Sequence, residues 1–379
     1  MPNQQADHVH LSRLIQTAQD LLNKGGTLES RGGVSPIDLE RISAAVEQRV
    51  GEITVGEDTS PRAVAAEVLS NAKSALAKAA AGASASILTD PEWASLEAII
   101  QVTGRPALRY KHGQVEMPND VGENQHWGVL IATARNKINR ASASVGRVSS
   151  KQPTGAEVLI GTAWRIGDTL VVTNRHVVAC LVLRAGDPVP SWKLDSTRQP
   201  RVEFGPSGDS APGFAVSEIA YCAPEKDVDL AIMRLECGVP PPPPLTIDWS
   251  PQSLGRDTSA TDGGRPQFKG KEIYVVGHPY RQLSSDPIVR VFGTADGSKR
   301  FSPGFVTAIA GAYLEHDCST LGGNSGSCVL TTGRHAVVGL HFAGLEVDGR
   351  SGRGRANLAL ALSQLGDGPA TSILRSGKV

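Results

Sequence analysis

The sequence predicts an α+β multidomain chain in which a helical N-terminal region precedes an all-β region and a C-terminal helix. Three observations carry this. Over residues 1–145, apolar side chains recur at helical spacing behind Ser-Pro and Asp-Pro start signals. From Val148 the pattern changes to short β-rich runs separated by Gly, Pro, Asp and Ser, as in a sandwich or barrel. After Asn357, LALALSQL reads as one closing helix.

The helical part follows in order. Val9, Leu11, Leu14, Ile15, Ala18, Leu21 and Leu22 share a face, and Gly25-Gly26 stop the run. Ser35-Pro36 supplies an N-cap and a first-turn proline ahead of Ile37, Leu39, Ile42 and Val46. Ser60-Pro61 repeats the signal before an Ala-rich run to about Ala81, and Asp90-Pro91 opens a segment carrying Trp93, Leu96, Ile99 and Ile100. ALRYKHGQVEM, with its His-Gly turn, reads as a hairpin. A last helix runs from Glu123 to Ser144 with Trp127, Leu130, Ile131, Ala134 and Ile138 inward. None of these segments gathers a catalytic set. Residues 1–145 therefore read either as a packing cap or as a regulatory or partner-docking module.

The strands of the second part are carried by EVLIGTAWRI, DTLVVTN, LAIMRL, EIYVVGH, FVTAIAG, SCVLTT and HAVVGLHFAG. Pro240 to Pro244 make a stiff connector within about residues 237–250, and Ser250 to Gly270 reads as a long surface loop.

Composition bounds the function. With 38 basic against 38 acidic side chains, no broad pull on nucleic acid or an anionic membrane is expected. No long apolar run suits a bilayer, and MPNQQADHVHLSRLIQ lacks the basic start and apolar stretch of a secretory signal. Five cysteines form a poor disulfide framework and read as free thiols in a cytoplasmic setting. The histidines 278, 316, 335 and 341 have no ligand-like spacing with them, so neither a metal nor another cofactor is expected.

Cleaving a peptide bond without a metal needs a nucleophile, a base, a group to hold that base, and donors for the oxyanion. His176 lies where the apolar strand of GDTLVVTNRHVV ends; Asp229 lies at the entrance to a strand in KDVDLAIMRL. Ser325 lies in LGGNSGSCV, where glycines allow the unusual φ/ψ that point consecutive N–H groups into one pocket. The expected oxyanion donors are the backbone N–H groups of Gly323 and Ser325.

Taken together, GDTLVVTNRHVV, DLAI, IYVVGHP, DCSTLGGNSGS and VVGLHFAG, in that order, resemble the trypsin superfamily, and within it the bacterial V8-like glutamyl endopeptidases and bacterial trypsin-like peptidases. The resemblance covers about residues 161–344. It implies a chymotrypsin-like double β-barrel over residues 148–379. It also implies a serine endopeptidase in which Ser325 attacks, His176 is the base and Asp229 orients it.

Further expectations follow from the resemblance. Ser319 stands at the pocket-floor position where trypsin has an aspartate, so a basic P1 residue would find no counter-charge. Thr320 and His341 occupy the V8-like positions that face the pocket, which implies Glu or Gln at P1. The strand Phe342 to Gly344 is expected to pair with a protein or peptide substrate. Asn324 replaces the aspartate used by trypsin-type zymogens, so activation by that route is not expected. A protease in the cytosol of a bacterium must be restrained, which suggests a regulatory protein partner acting with residues 1–145. The alternative is a non-catalytic binding module that keeps the protease fold within a regulatory assembly. The full His-Asp-Ser set weighs against it.

Overall fold

Two six-stranded antiparallel barrels follow a group of helices in the computed structural model of this chain. It describes residues 36–53, 60–80, 89–152, 154–183, 189–205, 213–255, 261–262, 265–266, 270–280, 296–320, 323–344 and 357–378. The helix expected over residues 9–22 lies outside the described residues.

Helices α1 (Pro36–Ile53), α2 (Pro61–Ala80) and α3 (Asp90–Thr103) form where the Pro and Asp-Pro signals predict them. They pack around Ile42, Val46, Val50, Val64, Val68, Leu96 and Ile99, an apolar cluster of their own. Glu92 ties α3 to α2: its carboxylate accepts from Ser74 Oγ at 2.7 Å and from Lys78 Nζ at 2.7 Å.

Next come a hairpin, β1 (Leu108–Lys111) and β2 (Gln114–Val115), and helix α4 (Asn124–Ala143). His112 and Gly113 both take positive φ, as a tight two-residue hairpin turn demands. Strand β1 pairs with β12 (Arg300–Ala310) of the second barrel, Leu108 opposite Phe301. Tyr110, Val115, Ile131 and Ile138 belong to the same core as Trp164, Leu170, Tyr274, Phe301 and Leu340 of the barrels. Hairpin and α4 are thus built into the barrel core, whereas α1–α3 have their own.

The first barrel closes in the order β3 (Val145–Lys151), β4 (Glu157–Arg165), β5 (Leu170–Thr173), β8 (Ala231–Glu236), β7 (Gly213–Cys222), β6 (Arg201–Glu203). A short helix α5 (Arg175–Ala179) follows β5 directly. The connector then leads past a small β9–β10 ladder (Thr261–Asp262 with Arg265–Pro266) into the second barrel. That barrel runs β11 (Glu272–Gly277), β14 (Cys328–Thr331), β15 (Val337–Gly344), β16 (Asn357–Ala361), β13 (Tyr313–His316), β12, and is closed by β11 pairing back onto β12. The fold is the chymotrypsin-like double barrel. Within the stretch expected to be a surface loop, Pro251–Leu254 make a single tight turn and Leu254 is fully buried.

The tail needs a correction. LALALSQL is not a helix: its first residues are strand β16, every residue of which is buried. With both faces covered, the alternation of a strand is replaced by a continuous apolar run that composition alone reads as helix. The C-terminal helix is α6, Pro369–Ser376, with proline at its start and Gly377 in the left-handed region after its end.

Candidate active site

The first barrel sets two of the expected site residues side by side through register. Strands β5 and β8 pair Thr173 with Ala231, and continuing that register sets Asp229 opposite Arg175. The chain turns into α5 just there. His176 Nδ1 lies 2.6 Å from Asp229 Oδ2, and the His176 backbone N–H donates to Asp229 Oδ1 at 3.1 Å. Asn174 Nδ2 donates to the Asp229 carbonyl, and Arg175 to the Pro224 carbonyl, so helix and acid loop are stitched together. Burial works to raise the Asp229 pKa. The hydrogen bonds and charge of His176, with Arg175 close by, outweigh it and hold the carboxyl below its ordinary range.

The second barrel supplies the serine. Ser325 sits in the turn entering β14, and its Oγ donates to the Phe342 carbonyl of β15 at 3.5 Å. The turn is clipped to β15 by Gly326 N–H to the His341 carbonyl (2.9 Å) and His341 N–H to the Ser327 carbonyl (2.8 Å). Gly323 and Gly326 hold φ of 89° and 87°. A side chain at Gly326 would press its Cβ to 2.0 Å from the Thr162 carbonyl oxygen, so the turn needs glycine there on both counts.

Thr162, fully buried on β4, joins the barrels at this point. Its N–H donates to the Ser325 carbonyl at 2.8 Å. Its hydroxyl accepts from His278 N–H at 2.9 Å and donates to the Gly323 carbonyl at 3.2 Å, while its carbonyl accepts from Thr173 Oγ1 at 2.7 Å. The turn carrying Gly323 and Ser325 is thus referenced to the strand pair that presents His176. Thr162 has no signal in the sequence, because nothing in a buried strand threonine marks a link between distant segments.

Ser319, Thr320 and His341, the expected pocket residues, are all buried in the second barrel. His341 Nδ1 lies 3.2 Å from His316 Nε2, with the rings edge to face. Both strands pair with β16, His316 opposite Asn357 and His341 opposite Ala359, which explains the meeting of residues far apart in sequence. His316 carried no signal of its own in the sequence. The hydroxyl of Ser319 donates to the Arg105 carbonyl at 2.7 Å. Phe342 to Gly344 lie beyond Leu340, the last residue of β15 that pairs with β14, so among the described residues that edge has no ladder partner there.

The described cysteines are all free thiols: Cys318 and Cys328 are buried, Cys222 and Cys237 half-buried, Cys180 exposed. Among the described residues no helix is long and apolar enough to cross a membrane.

Comparison with known proteins finds matches that run through the two barrels. A family model described as trypsin-like peptidase domain matches residues 161–340. Glutamyl endopeptidases of Staphylococcus aureus strains MW2 and MSSA476 are each 24% identical over 241 residues, 64% of this chain. The match spans 61% and 60% of those relatives' own length. Among solved structures, the active form of the Rv3671c protease from M. tuberculosis aligns over 64% of this chain and 84% of that one, at 16% identity and a TM-score of 0.38. Residues 161–340, which run through both barrels, are thus similar to the trypsin-like peptidase domain.

Proposed function

We propose that this protein is a serine endopeptidase in which Ser325 is the nucleophile, His176 the general base and Asp229 the group that orients it. The observation that carries this reading is the doubly bonded His176–Asp229 pair, at 2.6 and 3.1 Å, within the stretch that matches a trypsin-like peptidase domain. Asp229 accepts a hydrogen bond from Nδ1–H, which leaves Nε2 to take the proton of Ser325 Oγ as that oxygen attacks the scissile carbonyl. The N–H groups of Gly323 and Ser325 hold the oxyanion. His176 then gives its proton to the leaving amine, and water releases the acyl group by the same steps in reverse.

Glu or Gln is the proposed P1 residue. The relatives are named glutamyl endopeptidases, and two buried residues, Thr320 and His341, offer a hydroxyl and an imidazole for a carboxylate or amide. His316, bonded to His341, ties the tautomer of one ring to that of the other. The helices of residues 1–145 are proposed to govern the activity, and the protein to work in the cytoplasm on protein substrates.

Labelling by a fluorophosphonate tests the chemistry: the wild type is expected to react and Ser325→Ala to lose the label. An unlabelled wild type would favour the non-catalytic binding module. A peptide panel varied only at P1 tests specificity. Cleavage after Lys or Arg and not after Glu or Gln would overturn that part.

A further inference from the structure

Helix α3 ends at Thr103, and the next two residues, Gly104 and Arg105, leave the helices and run against the second barrel. Arg105 is buried, 6% exposed, although it carries a permanent charge. Its guanidinium bonds Asp317 Oδ2 at 2.7 Å through Nη2, and it bonds Glu123 and the Gly104 carbonyl through Nη1. It also lies over the Phe305 ring, 5.0 Å from the centroid. Its own carbonyl accepts the Ser319 hydroxyl at 2.7 Å. One residue therefore grips both sides of Cys318.

The rest of that segment is clamped as well. Asp317 Oδ1 accepts from Phe305 N–H at 2.6 Å, and the Cys318 carbonyl accepts from Asn357 Nδ2 at 2.7 Å. Residues 316–320 carry His316, Ser319 and Thr320, the side chains that neighbour His341 or form the expected pocket floor. Two carboxylates already match the Arg105 charge. It is therefore suited to fixing geometry and not to serving as a counter-charge for substrate.

We infer that Arg105 is a positioning residue for the substrate pocket: the segment leaving α3 braces the wall at residues 316–320. This rests on the peptidase reading above and deepens it. The brace lies within the chain, so pocket formation needs no newly cut terminus, in keeping with the uncharged Asn324 beside the nucleophile. It also gives the helices a covalent path to the pocket, since α3 ends two residues before Arg105.

The test uses the full chain with Arg105→Gln, Arg105→Lys, Ser319→Ala and the pair Arg105→Gln/Asp317→Asn. Three readouts are compared: KM and kcat on the best peptide of the P1 panel, the fluorophosphonate labelling rate of Ser325, and hydrogen exchange at amides 316–320. Arg105→Gln is expected to raise KM roughly tenfold or more while labelling changes by less than about twofold, since the small probe does not need the pocket. Arg105→Lys and the double variant, which keep or remove the need for a cation beside Asp317, should recover part of the loss. The brace is overturned if kcat/KM and labelling fall by the same factor, or if KM and exchange at 316–320 are unchanged. If Arg105→Gln does not fold, Arg105→Lys and Ser319→Ala carry the same comparison. If the wild type is not labelled, the peptidase reading fails by itself. Exchange then decides: local acceleration at 316–320 supports the brace, and unchanged exchange overturns it.

Discussion

His176 meets Asp229 twice, through Nδ1 to Oδ2 at 2.6 Å and through its backbone N–H to Oδ1 at 3.1 Å. The second contact fixes the carboxylate so that the first can select one ring tautomer. Asp229→Asn keeps the size and one acceptor but presents an amide N–H where Nδ1 must donate. The expected result is a kcat lowered roughly ten-thousandfold, with circular dichroism and melting little changed. Steady-state kinetics beside a melting curve checks it, and a loss below about tenfold would remove Asp229 from the proposed mechanism.

Thr162→Val removes only a hydroxyl, yet that hydroxyl bonds His278 N–H and the Gly323 carbonyl. Valine fills the same volume, and the buried N–H of His278 is left without this acceptor. Because Gly323 is a proposed oxyanion donor, kcat should fall by about ten- to a hundredfold with KM nearly constant. Equal changes in kcat and KM across the peptide panel would instead indicate general loosening.

Most strands were legible because their apolar runs are short and end at Gly, Asp or Pro, and the resemblance arranged them into two barrels. Strand β16 was not, because Leu358 to Ala361 are buried on both faces and leave no alternation to read. The expected catalytic residues each sit in a local motif, and so they could be named from sequence. Thr162, Arg105 and His316 have no such motif; their roles depend on partners 161, 212 and 25 residues away. Nor could spacing reveal that Tyr110, Ile131 and Ile138 join the barrel core, since an amphipathic face does not say what it packs against.

His278 makes stability depend on acid. Burial, then the charges of Lys299 and Arg147, push its pKa down from 6.5 to about 3, against the bond from Nδ1 to the Gly297 carbonyl. Between those values the unfolded chain holds a proton that the folded chain lacks. The His278 contribution is therefore fully present above pH 6.5 and is lost as pH drops toward 3, at up to about 1.4 kcal/mol per unit. Lys299, whose pKa burial lowers to about 7, titrates in a higher window and does not offset this. His278→Asn, which can keep a donor toward Gly297, should flatten the acid limb of a melting-temperature profile. An unchanged slope between pH 6.5 and 4 would assign the loss to other groups.

The two apolar clusters predict where the chain can be cut. Removing residues 1–103 takes away α1–α3, which pack mainly on one another, and leaves Arg105, the hairpin and α4 in place. Removing residues 1–145 strips β1 from β12, takes Ile131 and Ile138 out of the barrel core, and deprives buried Lys299 of its acceptor at the Ser142 carbonyl. The shorter truncation should stay soluble and label with fluorophosphonate, while the longer one should aggregate or melt far lower. Only the shorter truncation bears on control. If α1–α3 govern the site, its labelling rate should differ from that of the full chain by about fivefold or more, the usual size of coupling between sites. Equal rates would make the helices a structural cap on an enzyme whose pocket is braced from Arg105 onward.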